Sequence, residues 1–148
     1  MKVVLQRVKS GNVIINNEVY NSINNGYVLL VGIIKGDSDS DLQKVADKIA
    51  NLRIIEDDNG KMNISIIDKQ YEILSISQFT LAANIKKGRR PSFELSEEID
   101  LAKEKYALFN EYLRKYGLIV KEGIFQSEMV VNIENDGPVT IVIESEEL

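Results

Sequence analysis

Apolar and polar positions alternate with a period near two through the first third of this chain, and the period lengthens to that of a helix only later. Lys2 to Val8 and Asn12 to Ile15 read as strands. Asn16-Asn17 is a turn candidate leading to Glu18-Val19-Tyr20. Asn24-Asn25-Gly26 is a stronger one, because Asn and Gly tolerate the positive φ of a tight hairpin. Tyr27 to Ile34 is almost continuously apolar, as a central strand would be. Ser40-Asp41-Leu42-Gln43 then fits a helix start with acids at the positive end of the dipole, and Leu42, Val45, Ile49 and Leu52 recur on one face. Asp57-Asp58-Asn59-Gly60 predicts a turn, Met62 to Ile67 a short strand, and Ile73-Leu74-Ser75-Ile76 a buried one. Ser96 can cap a second helix over 97–116, whose Ile99, Ala102, Tyr106, Phe109, Leu113 and Tyr116 form one stripe, with Gly117 ending it. Leu118 to Gly123, Glu128 to Glu134 and Val139 to Glu144 predict three closing strands. The pattern implies an α+β fold: a curved, barrel-like, mostly antiparallel sheet covered by two helices, in a single domain over residues 1–148.

Composition narrows the chemistry more than the fold. With 44% hydrophobic and 28% charged residues the chain is ordinary globular material. No apolar run reaches membrane-spanning length, Met1 to Arg7 lacks a signal-peptide layout, and Cys is absent, so a cytoplasmic protein is expected. The absence of His excludes Ser-His-Asp and Cys-His catalysis and His-ligated metal sites. Proton transfer is left to Asp, Glu, Lys, Tyr, water or a group on the substrate. Asp37-Ser38-Asp39-Ser40-Asp41 imitates the start of a calcium loop, but Leu42 stands where the sharp-turn Gly belongs and Lys48 where the bidentate Glu belongs. No metal or cofactor is called for.

The candidate site is the end of the strand through Ile76. There Ser77, Gln78, Phe79 and Thr80 place two hydroxyls, an amide and an aromatic in succession, followed by Lys86, Lys87, Arg89 and Arg90. The net charge is −5, yet four of the 18 basic residues fall in this one loop, which could grip phosphates or simply be a solvated face.

Three segments together carry a family resemblance. Ser77-Gln78-Phe79-Thr80-Leu81, Lys87-Gly88-Arg89-Arg90-Pro91-Ser92-Phe93 and Asn135-Asp136-Gly137-Pro138-Val139-Thr140 occur in the order and spacing of the D-aminoacyl-tRNA deacylases. Val4-Leu5-Gln6-Arg7-Val8 and Lys48-Ile49-Ala50-Asn51-Leu52-Arg53 also resemble that family, so the similarity runs from Met1 to about Ser145. Ala82-Ala83-Asn84 and Gln126-Ser127 depart from its usual pattern. The resemblance implies a homodimeric hydrolase of translation quality control. It would cleave the ester joining a D-amino acid, or glycine, to the 3′-terminal adenosine of tRNA. It also implies a fold like the editing domain of archaeal threonyl-tRNA synthetases, and a pocket at the dimer interface entered by the partner's cis Gly137-Pro138 pair. On this basis Ser77, Gln78, Phe79 and Thr80 are catalytic candidates. Met129 lines the pocket, Arg7 and Gln6 support the Gly-Pro element, and Lys86, Lys87, Arg89 and Arg90 hold tRNA.

Two mechanisms fit these residues. Thr80 could attack the ester, but a Thr hydroxyl needs an adjacent base and none lies within the motif. Alternatively, backbone N–H groups near Phe79 and Thr80 stabilise the oxyanion while the tRNA 2′-hydroxyl, or a water it orients, moves the proton. Two other functions remain compatible with the sequence: a nucleic-acid-binding module without chemistry, and an editing subunit for a different mischarged tRNA.

Overall fold

The computed structural model describes residues 1–148 and is built around one long strand, β1 (Lys2–Ile15). The sequence splits this strand at Lys9-Ser10-Gly11, but the chain runs through. Its first half pairs antiparallel with β3 (Gly26–Gly32), from Lys2 opposite Gly32 to Val8 opposite Gly26. Its second half pairs with β2 (Glu18–Ile23), across the Asn16-Asn17 turn, where both residues have positive φ, 52° and 64°. Since β2 and β3 share one edge of β1 end to end, Asn24-Asn25-Gly26 connects neighbours rather than closing a hairpin between paired strands.

Beyond β3 the sheet continues with β6 (Glu72–Ser77) and β7 (Val120–Glu122), both parallel to their neighbours. Parallel junctions need covered crossovers, and the two longer helices supply them: α1 (Asp39–Asn51) between β3 and β6, and α3 (Ile99–Arg114) between β6 and β7. The sheet curls until β7 approaches β2, where Asn21 Nδ2 donates to Glu122 O at 2.7 Å and Lys121 Nζ to Ser22 O at 2.8 Å. The expected barrel-like, mostly antiparallel sheet under helices is therefore present, with a mixed centre.

Alternation on the strands builds two cores. Val3, Leu5, Tyr27, Leu29, Val31 and Ile73 face Leu42, Val45 and Ile49 of α1 and Tyr106, Phe109 and Leu113 of α3. Val8, Val13, Val28, Leu74 and Ile76 face the inside of the curl, joined by Met129, Val131 and Ile133.

Several boundaries differ from expectation for local reasons. The cap of α1 is Ser38, not Ser40: Ser38 Oγ accepts from Asp41 N at 3.3 Å while Asp41 Oδ2 accepts from Ser38 N at 2.8 Å. Ser38→Ala is expected to cost about 1 kcal/mol in denaturant unfolding, with Ser40→Ala near neutral. The Ser38 hydrogen bonds hold the Asp41 carboxyl below its ordinary value. That contribution is complete above the ordinary Asp range and fades as pH falls through the lower folded value.

The strand expected over Met62–Ile67 is only β5 (Met62–Ile64), paired with β4 (Ile55–Glu56). It stops because Ser65 and Asp68 form a second capping box opening a third, single-turn helix, α2 (Ile66–Lys69). The cap of α3 is Glu98, whose carboxylate accepts from Asp100 N, while Ser96 bridges to Ile34 instead. The last two expected strands are one, β8 (Val130–Glu144), which pairs along the whole outer edge of β1 and carries Asn135–Pro138 inside it. The chain can stay paired across that segment because the extra residues bulge outward.

Candidate active site

At the carboxyl end of β6, where parallel strands characteristically open a crevice, the chain leaves the sheet through a 3-10 turn, Phe79–Ala82. Gln78 N still donates to Val31 O at 2.7 Å, so the turn begins anchored to β3. It folds tightly over Gly32: a Cβ there would lie 2.9 Å from Leu81 Cβ and 3.0 Å from Gln78 O. Gly32 is thus a supporting residue that the sequence offered only as one position within the apolar run from Tyr27 to Ile34. Leu81 N, on Gln78 O at 3.2 Å, makes the first hydrogen bond within the turn, and the N–H groups of Phe79 and Thr80 precede it.

This end of the sheet opens a cavity of about 530 Å³. Its walls include Ser77, Gln78, Phe79 and Met129 but not the side chain of Thr80, together with Ala102, Phe125, Gln126 and Ser127. Ile99, expected to face the core, is instead exposed and lines this cavity, whereas Ala102 lines it while also packing against the core. Gln126 adopts the left-handed region, φ 66°, uncommon for a residue with a side chain. Neither its conformation nor its place could be read from the Gln126-Ser127 departure alone.

Titratable groups are scarce here. Glu97 is the one ionisable residue among the lining side chains, and it is committed: Oε2 accepts from Lys105 Nζ at 2.7 Å and Oε1 from Glu98 N at 3.0 Å. The Lys105 hydrogen bond holds its carboxyl below the usual Glu range. Beneath β6, Tyr106 Oη donates to Ser75 O at 2.9 Å, and burial pushes its pKa up to about 12, which keeps it a neutral donor. Thr80 is exposed, and its Oγ1 accepts from Gln78 Nε2 at 2.6 Å. An amide N–H is a donor and takes no proton from a hydroxyl.

Phe79 leads to the basic loop through Phe93, whose ring meets it edge-on at 5.1 Å. Reciprocal backbone bonds between Asn84 and Ser92, 2.7 and 2.9 Å, close the base of the loop. Lys86, Lys87, Arg89 and Arg90 on it are all exposed and make no ion pair.

The remaining expected residues lie elsewhere in the chain. Arg7 is 6% exposed, with Nη1 donating to Ile54 O at 2.7 Å and Nη2 3.6 Å from Glu56 Oε1. Its Nε sits 3.2 Å from Asp136 Oδ2, though the N–H is not aimed at that oxygen. Gly137-Pro138 is a cis peptide, as the resemblance implied, and both residues are exposed. Gln6 Nε2 reaches Asn135 Oδ1 and Thr140 Oγ1, each at 3.4 Å. None of these four residues lines the cavity of the same chain. No helix is long and apolar enough to cross a membrane.

The sequence model of the family described as D-Tyr-tRNA(Tyr) deacylase matches residues 4–144. A D-aminoacyl-tRNA deacylase of Aquifex aeolicus is 51% identical over 148 residues, covering 100% of both chains. One of Staphylococcus aureus is 52% identical over 147 residues, covering 99% of this chain and 97% of the relative. Among solved structures, one named c-Myc DNA Unwinding Element Binding Protein superposes with a TM-score of 0.91 at 43% identity, over 97% of this chain and 98% of that one. A "probable eukaryotic D-amino acid tRNA deacylase" superposes with a TM-score of 0.81 at 19% identity, over 96% and 97%, a likeness of fold.

Proposed function

This chain belongs to the D-Tyr-tRNA(Tyr) deacylase family and is a D-aminoacyl-tRNA deacylase, a hydrolase; from that premise we propose that it proofreads chirality in the cytoplasm with catalysis assisted by the tRNA itself. Water adds to the ester carbonyl, the bond from that carbon to the ribose 3′ oxygen breaks, and free amino acid and tRNA leave. The observation that carries this reading is the poverty of the cavity, whose one ionisable wall residue is already paired with Lys105. The vicinal 2′-hydroxyl of the substrate, held beside the ester, moves the proton or orients the water. The N–H groups of Phe79 and Thr80 stabilise the oxyanion, with Ser77 and Gln78 holding the turn.

Stereochemistry is set by exclusion. In a homodimer, Gly137 and Pro138 of one subunit enter the cavity of the other beside Met129, with Arg7 and Gln6 behind them. An L side chain collides with that wall, while a D-amino acid and glycine, including glycine mischarged on tRNA(Ala), are accepted. That these two residues are exposed, and line no part of their own chain's cavity, supports a role across subunits. Light scattering should give twice the 16.7 kDa chain mass. A fully active monomer would refute this arrangement.

The deciding experiment is incubation with D-Tyr-tRNA and L-Tyr-tRNA, following ester loss. Loss from the D form alone is expected. The neighbour named for binding a DNA unwinding element favours a second reading, nucleic-acid binding without chemistry, and release from neither substrate would favour it. Release from the L form would indicate a different editing specificity. Replacing Lys86, Lys87, Arg89 and Arg90 by Glu should weaken tRNA binding and flatten its salt dependence, as loss of phosphate contacts requires, with the D over L preference retained. Unchanged affinity would make the loop a solvated face.

A further inference from the structure

The register of β1 against β8 breaks where Gly137 and Pro138 sit. Gln6 faces Thr140 and Val8 faces Asn135, so the four residues 136–139 stand opposite Arg7 alone. A bulge of that size leaves ladder carbonyls without strand partners, and buried or half-buried carbonyls need replacement donors. One side chain supplies them. Asn135 Nδ2 donates to Arg7 O at 2.9 Å and to Val139 O at 3.0 Å, tying together the partner strand and the far foot of the bulge. Its Oδ1 accepts from Thr140 Oγ1 at 3.0 Å and from Gln6 Nε2 at 3.4 Å.

Both donors and both acceptor positions of the amide are thus used, and only one orientation of the group satisfies them. Asn135 also lies at the start of the bulge and Thr140 just beyond its end, so the network closes its base. The guanidinium of Arg7 lies beneath the tip, close enough that a Cβ on Gly137 would come within 2.9 Å of Nη2.

We propose that Asn135, with Thr140, is a positioning residue that fixes how far and at what angle Gly137-Pro138 projects, and so sets stereochemical discrimination without touching the substrate. This rests on the reading that the pair acts as the partner's pocket wall. A wall that excludes by collision works only if it cannot recede. Arg7 supports the tip and strand pairing ties each foot to β1, but the Asn135 amide is the side chain that joins the two feet across the bulge. Asp at this position is nearly isosteric but donates nothing, and sets a carboxylate oxygen against the carbonyls of Arg7 and Val139.

The test uses full-length Asn135→Asp and Thr140→Val, the latter exposed and shape-conserving, assayed with D-Tyr-tRNA and L-Tyr-tRNA beside uncharged-tRNA affinity and thermal melting. For Asn135→Asp the D over L rate ratio should fall about 10²-fold, the scale of a 1 Å misplacement. Thr140→Val should lower the same ratio to a smaller extent. Uncharged-tRNA affinity should not change. In a Gly137→Ala background, Asn135→Asp should add little, since both act through one element.

A ratio unchanged in Asn135→Asp and Thr140→Val would overturn the proposal, as would a full additional loss in the Gly137→Ala background. Failure of the underlying reading looks different: Gly137→Ala alone would then leave the ratio intact.

Discussion

A tRNA ending in 2′-deoxyadenosine, with D-tyrosine on its 3′ oxygen, is expected to be deacylated about 10²- to 10⁴-fold more slowly than the normal substrate, the range of a lost general acid-base group. The expectation follows from Thr80. Its hydroxyl oxygen receives a hydrogen bond from the Gln78 amide, a group unable to accept the proton that a nucleophilic hydroxyl must lose. Tyr106 is a neutral donor beneath the strand, and Glu97 is spoken for by Lys105. Thr80→Ala should accordingly lose less than about tenfold in single-turnover rate, about the effect of one hydrogen bond. The reverse pair of results, an inactive Thr80→Ala and a normally cleaved deoxy substrate, would make the Thr80 side chain the nucleophile.

Gly137→Ala should reduce deacylation of D-Tyr-tRNA by about 10²-fold or more, again on the scale of a 1 Å displacement at a reacting centre. At φ +111° an L residue is strained, and its Cβ would meet Arg7 Nη2 at 2.9 Å and Val139 Cγ2 at 3.1 Å. Arg7 cannot yield easily, because the guanidinium is buried and already bound to Ile54 O. The tip of the bulge must therefore move. Gly60→Ala is the matched control, since Gly60 also has positive φ, +71°, but nothing lies within 4 Å of its added Cβ and it sits in the β4–β5 turn. Equal, near-normal activity in both variants would remove Gly137 from the site.

The parts of this fold that could be read from the sequence are those whose period is enforced by burial on one face. Tyr27, Leu29 and Val31 are fully or almost fully buried, and Leu42, Val45 and Ile49 all meet the same core, as their spacing requires. Continuity of strands was not legible. Lys9-Ser10-Gly11 and Asn135 to Pro138 carry local turn chemistry, yet each is held in a strand by pairing with the other end of the chain. The α1 cap was displaced by two residues because Ser38 and Ser40 each offer a hydroxyl with a polar partner three positions on, Asp41 and Gln43, and only the path of the chain into the helix selects the first.

At the site, Ser77, Gln78, Phe79 and Met129 were recognisable as a motif and do line one cavity. Glu97, Phe125 and Gln126 were not, since they arrive from a loop and a helix start whose placement depends on the whole curl. Asn135 belongs to a recognisable motif, but its hydrogen bonds depend on a register that no local pattern encodes.

Lys2 lies opposite Glu144, and every pair down the outer edge of β1 joins the beginning of the chain to its last twenty residues. Such distant pairings are slow to find and wait on closure of nearly the full loop. During synthesis, the α1 and β3 face of the core can begin to assemble while β1 still has a vacant edge. The projecting Gly137 and Pro138 acquire their support from Arg7 only when the final strand has cleared the ribosome and closed on the first. The support beneath Gly137 and Pro138 is therefore acquired late in folding, with the β1–β8 pairing itself.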